Sequence, residues 1–305
     1  MKIFIFFFLK VSFNYRVSAL GFFNIGFNGV FGNQALFDMV AALEWVQDNI
    51  ETFGGDPEQV TIFGESAGSW AASYLSVSPL AKGLFSRAIL QSGSWTHPSR
   101  MLSFNEAVRS ATYGAEMLNC SNGSEDEIME CLQAANLEDI LMLMQYDGFF
   151  NPPSACVDGD FLPKFPHEIV ADGEINTNEI IIGANQDEGL LISSAFVLNP
   201  ELYQEMQNDW ARVGPRYLFG RRYQGDLTDI EQLDVDQAFE IVQHYMGAIE
   251  NFNEENFENI TRIFTDQYWY CTHSYANLLQ GIGVTVFQYL FSYKGKVIVQ
   301  FAGMN

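Results

Sequence analysis

The chain has 305 residues, 48% of them hydrophobic and 15% aromatic, enough to bury a sizeable core and to exclude a chain that is disordered throughout. Its formal charge of −23, from 15 basic and 38 acidic side chains, repels phosphate backbones and anionic lipid, so nucleic acid is excluded as a partner. Much of the acid lies in Ser124–Asp139 and Asp226–Glu258, which read as solvated helix faces and loops.

The N-terminus opens Met1-Lys2 and runs apolar from Ile3 to Leu9, a poor secretory signal interrupted by Lys10. No stretch reaches the length of about 20 apolar residues that a membrane-spanning helix requires. Val11–Phe23 reads as a buried strand turning at Gly21, and Asn24–Gly32 as a Gly/Asn loop. Asn33 is a candidate cap for the helix Ala35–Phe53, whose apolar positions recur at helical spacing. Gly54-Gly55-Asp56-Pro57 ends that helix. Val60–Phe63 is a short β-run broken by Gly64, and a helix starts at once over Ala67–Ser76. Arg87–Gln91 is the next strand. This alternation predicts an α/β fold with a mostly parallel sheet.

Ser103–Leu118 and Glu125–Gln145 read as helices, Glu179–Gly183 as a buried strand. Pro200–Tyr217, Val235–Ile249 and Phe257–Gln280 read as helices, and Val284–Tyr293 as the last strand. With no repeats and no low-complexity linker, one domain over 1–305 is expected, with helical excursions at about 103–145 and 200–280.

Cys120 and Cys131 flank a polar run and could close a small loop; Cys156 and Cys271 read as buried thiols. Asn119-Cys120-Ser121, Asn122-Gly123-Ser124 and Asn259-Ile260-Thr261 are glycosylation sequons. No histidine pair has metal-ligand spacing, and no dinucleotide or phosphate loop is present, so neither metal nor cofactor is expected.

The motif that carries chemistry is Gly64-Glu65-Ser66-Ala67-Gly68. It follows a β-run and opens a helix without a spacer, the context a nucleophile elbow requires. Ser66 then stands on a strained turn, glycines flank it to avoid clashes, and the Ala67 N–H points at a developing oxyanion. A triad acid follows a later strand. Asp187 and Glu188 both qualify. Of the histidines after them, His244 and His273 lie in helical segments and read as structural; His97 and His167 precede the acid and fail the chain order. Trp95 is a candidate wall of the acyl side of the pocket.

Several long runs are similar to the type-B carboxylesterase family, which includes cholinesterases and the adhesion proteins called neuroligins. They are Asn14-Tyr15-Arg16-Val17 with Leu20-Gly21-Phe22, Asn33–Asp38, Ala42-Leu43-Glu44-Trp45-Val46, Phe53–Gly68, Gly83-Leu84-Phe85 and Ile89–Ser94. The resemblance implies the α/β-hydrolase fold, hydrolysis of small carboxylic esters through an acyl-enzyme on Ser66, and a secreted form. It implies Glu188 as the acid, through Asp187-Glu188-Gly189, and Cys120–Cys131 as a small-loop disulfide. It places a Gly-Gly oxyanion segment upstream of Tyr15 and a Gly-x-x-His base downstream of Val284–Tyr293. Neither occurs in these 305 residues, so this stretch alone is expected to have negligible activity. The alternative is a non-catalytic, neuroligin-like binding module. Ser18 and Met39 stand where the family usually has glycine and glutamine. The sequence does not fix the oligomeric state.

Overall fold

The computed structural model describes residues 8–97, 101–143, 154–208 and 257–293, with isolated positions between 237 and 247. The apolar start Ile3–Phe7, most of the helix Val235–Ile249 and the end of Pro200–Tyr217 lie outside the described residues.

Four strands form a wholly parallel sheet in the order β1 (Thr61–Glu65), β2 (Arg87–Gln91), β5 (Glu179–Asn185) and β6 (Thr285–Phe291). Two two-residue strands, β3 (Met101–Leu102) and β4 (Ala155–Cys156), pair apart from it. The register aligns Gly64, Leu90, Ile182 and Gln288 across the sheet, and Ile62, Ala88, Ile180 and Val286 two residues back, on the same face. That face carries the core: Ala88, Leu90, Ile180 and Ile182 are at most 1% exposed.

The helices that cover it are α2 (Gln34–Asn49), α3 (Ala67–Leu75) and α10 (Phe257–Gly281). Each supplies an apolar stripe at helical spacing: Leu36, Met39, Val40 and Leu43; Ala71, Ala72 and Leu75; Tyr275, Ala276 and Leu279. α3 packs on β1 and β2, α10 on β5 and β6. Burial of this kind removes apolar area from water at about 25 cal/mol per Å² and is the main favourable term of folding. Among the described residues, other helices are α1 (Ser18–Phe22), α4 (Phe104–Met117), α5 (Glu125–Ala134), α6 (Leu137–Met142), α7 (Pro166–Ala171), α8 (Leu190–Leu198) and α9 (Pro200–Asn208).

Four expectations are corrected. Val11–Phe23 is not a strand: residues 8–17 have no regular structure and Ser18–Phe22 is a short helix. Tyr15 and Phe22 lie against the core, but Val11, Phe13, Val17 and Leu20 are exposed, and among the described residues none of 8–17 has a ladder partner. Gly64 does not break its strand but belongs to β1, paired in register with Leu90. The helix Glu125–Gln145 is two helices. Ala135 is extended and Asn136 caps a new start, its side chain accepting from the Glu138 N–H.

The fourth concerns Asn33, whose side chain does not cap α2. Its Nδ2 donates to the Cys156 carbonyl at 2.8 Å and its Oδ1 accepts from the Cys156 N–H at 3.0 Å. A side-chain amide here copies a strand partner for β4, 123 residues away. The backbone adopts φ 61°, ψ 16° to do so, a left-handed conformation that asparagine tolerates better than most residues.

Candidate active site

Ser66 sits between the end of β1 and the first turn of α3 with φ 53° and ψ −115°. L-residues rarely adopt this backbone, and only a surrounding structure that over-determines the turn holds them there. Two contacts do so: the Ser66 N–H donates to the Gln91 carbonyl at 2.9 Å, and the Ser66 carbonyl accepts from Ser69 and Trp70. Gly64 is required, because a Cβ there would overlap the backbone of Gly68. The expectation for Gly68 is corrected: a Cβ on Gly68 would meet open space. What matters at Gly68 is its backbone, which crosses directly over Gly64.

Ala67 is the first residue of α3, so its N–H has no carbonyl one turn back to donate to. It is exposed, at the positive end of the helix dipole. A carbonyl oxygen held near Ser66 Oγ would face that donor.

The register carries the geometry from Ser66 to the candidate acids. Glu65, Gln91 and Gly183 lie in one row, and Ser92 follows β2 as Ser66 follows β1. Glu188 lies beyond the end of β5, two strands from Ser66, or ~10 Å of sheet. Three donors converge on its Oε1: Ser92 Oγ at 2.5 Å, the Asn185 N–H at 2.7 Å and Asn185 Nδ2 at 3.1 Å. Among the described residues no donor reaches Oε2. Asp187 is exposed, and its carbonyl, not its carboxylate, accepts from Leu190 at the start of α8. Of the two candidate acids, only Glu188 is turned onto the carboxyl end of the sheet. Tyr289 lies beside this row, over Gly183. Burial pushes its hydroxyl up; a hydrogen bond with Gln91 opposes this, and the carboxylates of Glu188 and Glu65 add to it.

A model of the "Carboxylesterase family" matches residues 9–302. The chain belongs to the carboxylesterase family. Its four-stranded parallel sheet with flanking helices is part of the α/β-hydrolase fold of that family. Among curated relatives it is 34% identical to Esterase E4 of Myzus persicae over 300 residues, 94% of this chain and 52% of that protein. It is 40% identical to the acetylcholinesterase of Electrophorus electricus over 187 residues, 59% of this chain and 29% of that one. It is 36% identical to the medium-chain fatty acyl-CoA hydrolase precursor of Anas platyrhynchos over 247 residues, 79% of this chain and 41% of that one. The chain thus spans about half, or less, of the length of these carboxylesterase relatives.

Within this carboxylesterase framework the other candidates find their places. Trp95 does not line an open pocket: it is 7% exposed, its ring edge-on to Tyr275 at 5.1 Å. His273 Nδ1 lies 3.3 Å from Gln288 Oε1, on the helix-covered face of the sheet. His244 is exposed and meets Tyr245 edge-on. His97 is buried between the rings of Trp70 and Tyr268. His167 stacks on Phe165. Among the described residues no imidazole nitrogen bonds Ser66 or Glu188. Cys120 and Cys131 are joined by a disulfide with Cα atoms 5.5 Å apart. Asn119 and Asn122 are exposed beside it, and Asn259 is half-buried in the first turn of α10. Among the described residues no helix is long and apolar enough to cross a membrane, and no acidic, His or Cys group could hold a metal.

Sequence reasoning missed Ser92 and Asn185. Both sit one residue past a strand, or at its last residue, and each is spent on Glu188. Ser92 needs φ 60° to reach it. No residue pattern signals that backbone at a serine.

Proposed function

We propose that this chain is the nucleophile-bearing part of a serine carboxylesterase acting on small carboxylic esters. The observation that carries this is a strained Ser66 at the head of α3, on the same sheet end as a Glu188 whose Oε1 takes three donors and whose Oε2, among the described residues, takes none. An imidazole with a hydrogen bond on either side spans roughly 8 Å, which suits the gap between them once side chains lean inward. The resemblance assigns that imidazole to the Gly-x-x-His segment beyond the last strand.

The chemistry follows from these positions. Ser66 Oγ adds to the ester carbonyl carbon while its proton passes to the imidazole. Charge develops on the carbonyl oxygen and is met by the Ala67 N–H and the α3 dipole. Glu188 Oε2 holds the imidazole tautomer and stabilises the imidazolium. The alcohol leaves with that proton, and water then repeats the sequence on the acyl-Ser66 ester to release the acid.

The same reading includes a single domain with its helical excursions, secretion, and glycans on Asn119, Asn122 and Asn259. The Cys120–Cys131 disulfide supports an oxidising compartment. Losing a triad histidine costs about 10⁶-fold in kcat in a comparable protease, so residues 1–305 alone turn esters over negligibly. The test is a p-nitrophenyl acetate assay with imidazole added. A burst of p-nitrophenolate above the free-imidazole background, lost in Ser66→Ala and weakened in Glu188→Gln, supports the reading. A burst that survives Ser66→Ala defeats it.

A further inference from the structure

The helix α10 is far from β1 in the chain and carries neither Ser66 nor Glu188. Yet one of its stripes lies along the loop that presents Glu188. Thr261, Thr265 and Trp269 are spaced four apart and so share one face. Trp269 Nε1 donates to the Asn185 carbonyl at 3.2 Å. Thr265 Oγ1 accepts from the Gly189 N–H at 2.9 Å and donates to the Thr261 carbonyl at 2.8 Å. Thr261 Oγ1 pairs with Ser193 Oγ at 2.6 Å, and Ser193 in turn donates to the Gly189 carbonyl at 3.0 Å. The residues on both sides of Glu188 are therefore tied to α10, Asn185 by Trp269 and Gly189 by Thr265. Thr265 is buried, so its two hydrogen bonds form away from competing water.

Gly189 makes this possible. A Cβ there would overlap the Thr261 carbonyl and crowd the Thr265 nitrogen. The glycine after Glu188 lets the helix backbone come into contact with the acid's own loop. The same helix also reaches the strand that supplies Glu188's partner. Thr96 Oγ1 donates to the Cys271 carbonyl at 2.7 Å, which anchors the loop following Ser92.

We infer that Thr265 and Trp269 are positioning residues that hold the Glu188 carboxylate in register with the base, acting through Gly189 and Asn185. Neither touches substrate. Asn185 donates twice to Glu188 Oε1, so a shift of its carbonyl is passed directly to the carboxylate. The inference rests on the reading of Glu188 as the acid that orients the imidazole.

The experiment measures phosphonylation of Ser66 by a fluorophosphonate as imidazole is titrated in. The readout is the ratio of the imidazole-dependent to the imidazole-independent rate, which a general loss of folded protein leaves unchanged. Thr265→Val keeps the shape and removes both hydrogen bonds. Trp269→Phe keeps the ring packing and removes the donor. Each lowers the ratio about five- to ten-fold, the scale expected when a catalytic group is displaced by less than 1 Å. Thr265→Ser, which retains both hydrogen bonds, restores it. If Thr265→Val does not fold, as judged by circular dichroism, Trp269→Phe carries the test alone. A wild-type ratio in the folded variants, while Glu188→Gln lowers it, overturns the positioning role and leaves the reading of Glu188 standing. A wild-type ratio in Glu188→Gln overturns both.

Discussion

Ser92 donates its hydroxyl to Glu188 Oε1 at 2.5 Å across 96 residues of chain. The bond runs between neighbouring strand ends, and it fixes the acid relative to the strand next to the one that carries Ser66. A hydrogen bond to a charged group contributes about 1.5–3 kcal/mol. Ser92→Ala is expected to lower the imidazole-dependent acylation of Ser66 about ten-fold. Stopped-flow measurement of the p-nitrophenolate burst checks it.

Ser18 stands at φ 60° with its hydroxyl buried and, among the described residues, without a hydrogen-bond partner. Both features cost free energy, and a glycine at this position removes both. Ser18→Gly is expected to stabilise the chain by about 1–2 kcal/mol, read as a higher urea midpoint at an unchanged slope.

Ser66→Gly releases the strain of φ 53° and is expected to raise stability by about 1 kcal/mol while abolishing acylation. A paired urea melt and burst assay separates the two effects.

Asn33 holds both the N–H and the carbonyl of buried Cys156. Asn33→Ala leaves two buried backbone groups unpaired and is expected to cost about 2–4 kcal/mol. Asn33→Asp keeps the acceptor for the Cys156 N–H but sets an oxygen against the Cys156 carbonyl in a fully buried site, so it should cost at least as much, read by the same urea melt.

Burial pushes the thiols of Cys156 and Cys271 up to about 12. At pH 8 only about one part in 10⁴ is thiolate, so the native chain should be inert to iodoacetamide and should react at both positions once unfolded. The sign of the pH effect follows. The folded thiols titrate higher than unfolded ones, so their contribution is complete below about pH 9 and is lost as pH rises towards 12. Urea melts at pH 8 and pH 10.5, compared with a Cys156→Ala, Cys271→Ala chain, measure it.

The elbow and the sheet around it were legible because local signals agreed. The apolar run of β1 and the small residues of α3 pointed one way, although β1 runs on through Gly64, and between Asp187 and Glu188 only the resemblance chose. Val11–Phe23 misled because apolar content alone does not supply a neighbouring strand: among the described residues the run has no ladder partner, and Val11, Phe13, Val17 and Leu20 stay exposed. Asn33 misled because cap propensity cannot foresee a pairing with Cys156. The contacts that hold Glu188, the proposed acid, were invisible. Ser92 needs an unusual φ, and Thr265 and Trp269 reach the site only because Gly189 admits a helix backbone that lies 76 residues further along the chain. Side chains that act through the backbone of others leave no spacing pattern.

The central claim is that Ser66 is the nucleophile of this chain. The most direct measurement is mass-spectrometric mapping of the adduct formed with a fluorophosphonate in the presence of imidazole. One modified peptide is expected, with the phosphonyl group on Ser66 and its yield lost in Ser66→Ala. Modification of another serine, or an unchanged yield in Ser66→Ala, would contradict it.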